Sequence, residues 1–241
     1  MPLRKPAALP EGAAPAVPAA SAPPAAWRTA LRAAVRAALR SPWAKPVLFV
    51  ICLGPMAWLL RGIWLDDLGA NPAEFLIRAT GDWTLRALCL VLAVTPLRVT
   101  LGLPELARLR RMLGLFTGFY ACLHLIGYAW LDMGWDLPDI TADIAKRPFI
   151  LVGFAGWLLL SVLSATSFNA AIRALGAKRW QVLHRAVYAV AALALLHFFW
   201  MRAGKQNFAE VALYAAILGS LLGWRAHRAW RSARPQPLPP G

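Results

Sequence analysis

Acidic residues are what this chain has least of. Among 241 residues there are 26 Lys and Arg but only 11 Asp and Glu; charged residues make up 15% of the chain and apolar ones 59%. Soluble domains carry about 25% charged residues, so this composition, with a mean hydropathy of +0.53, excludes an ordinary water-soluble globule. Cysteine is scarce as well. Cys52, Cys89 and Cys122 stand singly inside apolar runs with no CxxC spacing, which excludes a disulfide framework or a thiolate metal site and leaves three small buried hydrophobes. The stretches between apolar runs are too short for a nicotinamide or flavin domain. Chemistry must therefore take place among the apolar segments or with outside partners.

What is present is a series of apolar runs at 46–65, 82–101, 112–132, 148–167, 180–201 and 208–225. Each approaches or exceeds the roughly 18 residues that mark a membrane-spanning helix. They predict an all-α integral membrane protein, a bundle of six transmembrane helices. If the runs alternate across the membrane, one side holds 18 of the 26 Lys and Arg, counting Arg98 and Arg225 at the span edges, and the other holds five. Nine of the 11 acids fall on the basic-poor side. The positive-inside rule then places both termini in the cytoplasm. A net charge of +15 distributed this way points to membrane lipid and not to nucleic acid.

Residues 1–26 are mostly Ala and Pro, which predicts a disordered tail; they show no leucine-rich core or cleavage pattern of a signal peptide. Residues 27–45 follow as a basic amphipathic segment, in which Trp27, Leu31, Val35 and Leu39 recur every fourth position one step ahead of Arg28, Arg32, Arg36 and Arg40. Such a helix suits an anionic inner leaflet, or a solvated tail that enforces topology. The transmembrane domain spans 46–225, and 226–241 form a basic cytoplasmic tail. No internal repeat is evident.

Four histidines are present. His227 lies in the basic tail. His124, His184 and His197 lie within predicted spans, where ligand-type side chains are costly and face the bundle interior. At about 1.5 Å per residue, His124 lies roughly 18 Å and His197 roughly 25 Å from the cytoplasmic end of their spans, and His184 only about 6 Å. His124 and His197 can therefore share the outer half of the membrane. Two neutral imidazoles on facing helices can fill both axial positions of a haem iron, which leaves no open site for substrate and suits an electron carrier. Gly114, Gly118, Gly127 and Ala194 are small residues near these histidines, suited to a macrocycle or to close helix packing. His184 and His197 point about 140° apart on a continuous helix. The position 14 residues before His124 is Arg110, so a second haem would need unusual ligation. On the residues alone, histidines serving packing or proton relay in a transporter or structural subunit remain an alternative.

"RRMLGLFTGFYACLHLIGY", "DIAKRPFILVGFAGWLLLSVLSATS" and "RWQVLHRAVYAVAALALLHFFW" resemble the MsrQ family, haem-binding membrane subunits of bacterial periplasmic methionine-sulfoxide reductase systems, within the ferric-reductase-like transmembrane superfamily. The resemblance spans roughly residues 45–225. It implies an inner-membrane protein with haem b, one or two per chain, and an association with FMN. Electrons would come from the quinone pool or a cytoplasmic flavin reductase and pass to MsrP, a periplasmic molybdopterin enzyme that repairs oxidised envelope proteins. The chain itself would be an electron-transfer subunit and no complete enzyme. His124 and His197 fall at the family's haem-ligand positions and His184 at its third membrane histidine. Arg110 stands where related ferric reductases place another histidine. A stand-alone ferric or quinone-linked cytochrome b reductase is the alternative within the same class.

Arg110 and Arg111 at the cytoplasmic end of the third span, and Arg185 beside His184, are further candidates for cofactor binding, because guanidinium pairs bidentately with propionates or an FMN phosphate. Topology and snorkelling account for them equally well. Arg86 also falls within a span. Asp136, Asp139 and Asp143 form an acidic outer loop that could dock a partner.

Overall fold

The computed structural model describes residues 25–203, 206 and 208–233. Among these, all regular structure is helical. The expected tail at 1–26 lies outside the described residues up to position 24, and the basic segment that follows is helix α1, Ala25–Arg40. Five segments are long and apolar enough to cross a membrane: α2 (Ala44–Trp64); α3 (Pro72–Thr100); a unit running from a 3-10 turn at Pro104 through α4 (Ala107–Gly127) to a π-helical turn at Tyr128–Asp132; α6 (Pro148–Ala165); and a unit made of α8 (Ala177–His184) and α9 (Val187–Ala203). Two short helices, α5 (Leu137–Lys146) and α7 (Asn169–Leu175), lie in the connections.

Three expected boundaries differ from the structure. Helix α3 begins ten residues before the apolar run: Asn71 caps it by accepting the Glu74 N–H at 3.1 Å, and Pro72 occupies its first turn, where no amide donor is needed. The expected single span at 180–201 is broken at Arg185–Ala186, so its two histidines do not follow the phase of one helix. The sixth expected run forms α10 (Ala209–Ala233), which continues into the segment read as a tail. It is not among the five apolar spans; Glu210 and Arg225 frame its apolar stretch, and Gly219, Ser220 and Gly223 dilute it.

The main core is built from α3, α4, α6, α9 and α10, with Leu85, Leu88, Leu92, Ala121, Leu160, Leu163, Val190, Ala191, Phe198 and Leu218 buried together. Helices α3 and α4 form one antiparallel pair and α6 and α9 another, the start of the first helix meeting the end of the second in each. Helix α2 lies against α4 at the margin, leaving Val47, Phe49, Val50, Ile51 and Leu60 exposed for lipid.

Two prolines shape the bundle. Pro55 interrupts α2, and beside it the Tyr120 hydroxyl enters the backbone ladder, accepting from Met56 N–H at 3.2 Å and donating to the Cys52 carbonyl at 2.7 Å. Pro96 in α3 cannot donate to the Leu92 carbonyl one turn earlier, and the Arg225 guanidinium from α10 donates to that oxygen instead.

Candidate functional site

His124, near the end of α4, and His197, in the second half of α9, meet across a shared cavity, their ring centroids 6.1 Å apart and their planes at 75°. Each ring is held by one nitrogen. His124 Nδ1 lies 2.8 Å from the carbonyl oxygen of Ile77 in α3, and His197 Nδ1 lies 2.7 Å from that of Phe149 in α6. A carbonyl can only accept, so both Nδ1 atoms carry the proton and both Nε2 atoms keep a lone pair. Among the described residues neither Nε2 has a hydrogen-bond partner.

The cavity measures about 250 Å³ and is mostly apolar, lined by Leu85, Leu88, Ala121, Leu160, Val190 and Ala194 among others. Besides the two histidines, its polar lining comprises Arg78, Asp82, Thr84, Thr117, Tyr128, Asp132 and Arg147. Two of these are tied to carboxylates: Arg78 to Glu74 at 2.5 Å and Arg147 to Asp143 at 2.7 Å. Trp157 also lines the cavity, and its indole N–H is buried without a partner.

The remaining candidates gather elsewhere. His184, Arg110, Arg111 and Arg185 line a second cavity of about 420 Å³, together with Ser164, Ser167, Trp180, Gln181 and Tyr188. Among the described residues no Asp or Glu lines it. His184 stacks on Trp180 with centroids 3.9 Å apart, and its two nitrogens lie 3.2 Å from the Trp180 carbonyl and 3.3 Å from Ser167 Oγ. Arg111 donates to Asn169 at 2.6 Å. Ser164 Oγ is buried with no partner. Leu88, Thr117 and Leu160 line both cavities and form the wall between them. The histidines thus divide into a facing pair in one cavity and a single one in the other.

Among the other charged residues singled out in the sequence, Arg86, Asp136 and Asp143 have structural partners. Arg86 stacks on Trp83 at 4.7 Å and donates to the Tyr214 hydroxyl at 3.3 Å. Asp136 caps α5, and Asp143 binds both the Tyr128 hydroxyl at 2.7 Å and Arg147. Arg78 and Arg147 were not singled out because each stands just outside an apolar run and reads as a loop charge. Gly81 and Gly153 were not connected to the histidines for a different reason: they lie on the facing helices and not on the histidines' own.

A family model described as ferric reductase like transmembrane component matches residues 80–195, which contain His124 and His184 but stop short of His197. Relatives match longer stretches of the chain. A protein of Polaromonas naphthalenivorans is 66% identical over 193 residues, covering 80% of this chain and 88% of its own. A protein of Bordetella parapertussis is 52% identical over 190 residues (78% of this chain, 90% of its own), and one of Ralstonia nicotianae 54% over 169 (70% and 78%). All three bear the name protein-methionine-sulfoxide reductase heme-binding subunit MsrQ. This chain belongs to the MsrQ family. No solved structure matches it.

The donor set of this MsrQ-family chain can be tested against a haem. No group of three or more His, Cys, Asp or Glu able to hold a metal occurs among the described residues. Two imidazoles can still hold an iron whose other four ligands come from a macrocycle. With each Nε2 about 2 Å from the metal, the ring centroids would stand about 6 Å apart, which matches the observed spacing. The fixed Nδ1–H tautomers, free Nε2 lone pairs and apolar lining all fit that group.

Proposed function

We propose that this chain is a haem b electron-transfer subunit of a methionine-sulfoxide reductase system, in which His124 and His197 would hold the haem iron. The observation that carries the reading is the pair of facing imidazoles, each fixed by a backbone carbonyl as the tautomer that leaves Nε2 free. A bound haem supplies reversible one-electron chemistry at its iron. His124 and His197 would hold the haem iron, and the apolar side chains around the site would tune its potential. Arg78 and Arg147, on the polar rim, are placed to neutralise propionates. The printed names of the relatives support the haem and the reductase system.

In this reading α10 is the sixth span, both termini are cytoplasmic and the membrane is the bacterial inner membrane. The cavity with His184 lies on the basic, cytoplasmic side and receives electrons from the quinone pool or a flavin reductase. Arg110, Arg111 and Arg185 give it the charge to accept an anionic group such as the phosphate of FMN. Electrons leave at the periplasmic face to MsrP, which carries the catalysis; the outer cavity, with His124 and His197, lies toward that face.

The deciding experiment is a dithionite-reduced minus oxidised spectrum of the detergent-purified chain, with haem quantified per polypeptide. A low-spin b-type spectrum is expected. A folded chain that takes up no haem when haem is supplied would overturn the reading and return the histidines to packing or proton relay.

A further inference from the structure

The two ligand-bearing hairpins solve the same problem in the same way. His124 on α4 hydrogen-bonds a carbonyl on α3, and the residue one turn after that carbonyl is Gly81. His197 on α9 hydrogen-bonds a carbonyl on α6, and the residue one turn after that carbonyl is Gly153. In a helix a side chain covers the turn N-terminal to its own Cα, so the residue at i+4 shields the carbonyl of residue i from neighbouring helices. Only glycine leaves the second lone pair of that oxygen open to an approaching ring.

The fit is close at both positions. A β-carbon on Gly153 would stand 2.7 Å from His197 Nδ1 and 2.8 Å from Cε1, distances that real β-carbons essentially never adopt. One on Gly81 would stand 3.1 Å from both Nδ1 and Cε1 of His124, tight enough to displace the ring by a few tenths of an ångström. Neither glycine has a positive φ, so backbone freedom is not what calls for it.

We infer that Gly81 and Gly153 are the positioning residues of the haem site: each bares one helical carbonyl so that it can take the Nδ1–H of a ligand histidine from the facing helix. The sequence shows no repeat, but the hairpins α3–α4 and α6–α9 carry equivalent devices. The inference rests on the haem reading for its consequence and on the geometry alone for the tautomer. An Nδ1–H donating to a carbonyl makes the imidazole a stronger donor, which favours ferric over ferrous iron. The glycines therefore hold the potential of the haem low as well as placing its ligands.

The test compares the wild-type chain with Gly81→Ala, Gly153→Ala and the control Gly219→Ala, which meets nothing within 4 Å in α10. Gly153→Ala is expected to lose haem affinity by roughly 10–100-fold, the range for losing a ligand's outer hydrogen-bond partner, and to lose the low-spin signature of any haem retained. Gly81→Ala is expected to keep its haem with a more positive midpoint potential and altered low-spin electron paramagnetic resonance g-values. The control should match wild type in all three readouts. If Gly153→Ala does not accumulate as folded protein, Gly81→Ala decides the matter. Wild-type haem content, potential and g-values in the glycine variants would overturn the inference. If the wild-type chain binds no haem, the haem reading fails separately, and nitrogen-15 NMR of the two imidazoles judges the positioning. Nδ1–H in wild type and its loss in Gly153→Ala would support it; an unchanged tautomer would overturn it.

Discussion

Tyr120 and Cys52 are joined by a hydrogen bond that runs through the backbone of a helix and not over its surface. The Tyr120 hydroxyl donates to the Cys52 carbonyl at 2.7 Å while accepting from the Met56 amide at 3.2 Å, the donor that would otherwise close that turn of α2. Helix α2 is otherwise largely exposed, so this contact ties a marginal helix to the bundle.

Tyr120→Phe is accordingly expected to lower stability by about 0.5–2 kcal/mol, the range for interhelical hydrogen bonds in membrane proteins. Thermal or denaturant unfolding in detergent would measure it. Stability equal to wild type would mean that Cys52 and Met56 simply re-pair without the hydroxyl.

Arg225 and Pro96 should be energetically coupled, because the guanidinium replaces the donor that proline lacks. Arg225→Ala alone leaves the Leu92 carbonyl unsatisfied and should cost about 1–3 kcal/mol. In a Pro96→Ala background, where a backbone N–H again reaches that oxygen, the same change should cost clearly less. Equal penalties in both backgrounds would disprove the coupling.

The separation of the histidines predicts different outcomes for their removal. His197→Ala should abolish the low-spin haem spectrum, since the remaining described histidine in a span, His184, lines the other cavity. His184→Ala should leave that spectrum intact and, in the proposed orientation, slow haem reduction from the cytoplasmic side. A complete loss of haem in His184→Ala would contradict the two-cavity arrangement.

Helix α1 is fastened to the loop between α3 and α4. Arg40 pairs with the buried carboxylate of Glu105 at 2.7 Å, Arg36 donates to the Gly102 carbonyl at 2.6 Å, and Arg108 donates to the Leu39 and Arg40 carbonyls at 3.2 Å. Arg40→Ala leaves Glu105 without its partner and should loosen α1, seen as faster limited proteolysis between residues 28 and 40. An unchanged cleavage rate would show that the remaining bonds hold it.

Much of this arrangement was legible in the chain, for reasons that also explain what was not. Long apolar runs announce helices because lipid leaves the backbone no other partner. Histidines in such runs announce a site because they are costly there. The start of α3 was obscured because Glu74 and Arg78 resemble loop residues, although Asn71 and Pro72 do carry a helix-start signal. The break after His184 leaves no proline or glycine to mark it. The glycines against His124 and His197 were hidden by sequence distance: each lies more than forty residues from the ring it accommodates, and no periodicity along the chain links them.

The wall between the two cavities has a consequence for energy conservation. It consists of Leu88, Thr117 and Leu160, all buried, and its one hydroxyl, on Thr117, is already committed to the Leu113 carbonyl at 2.9 Å. Such a partition lets an electron tunnel across while offering a proton only the acceptor side of one hydroxyl whose own proton is already committed. In the proposed orientation, charge then moves outward without a compensating ion inside the protein. A membrane negative on the inside would drive that movement by about 2.3 kcal/mol per 100 mV for a full crossing, so repair in the periplasm would draw on the resting voltage as well as on the reductant.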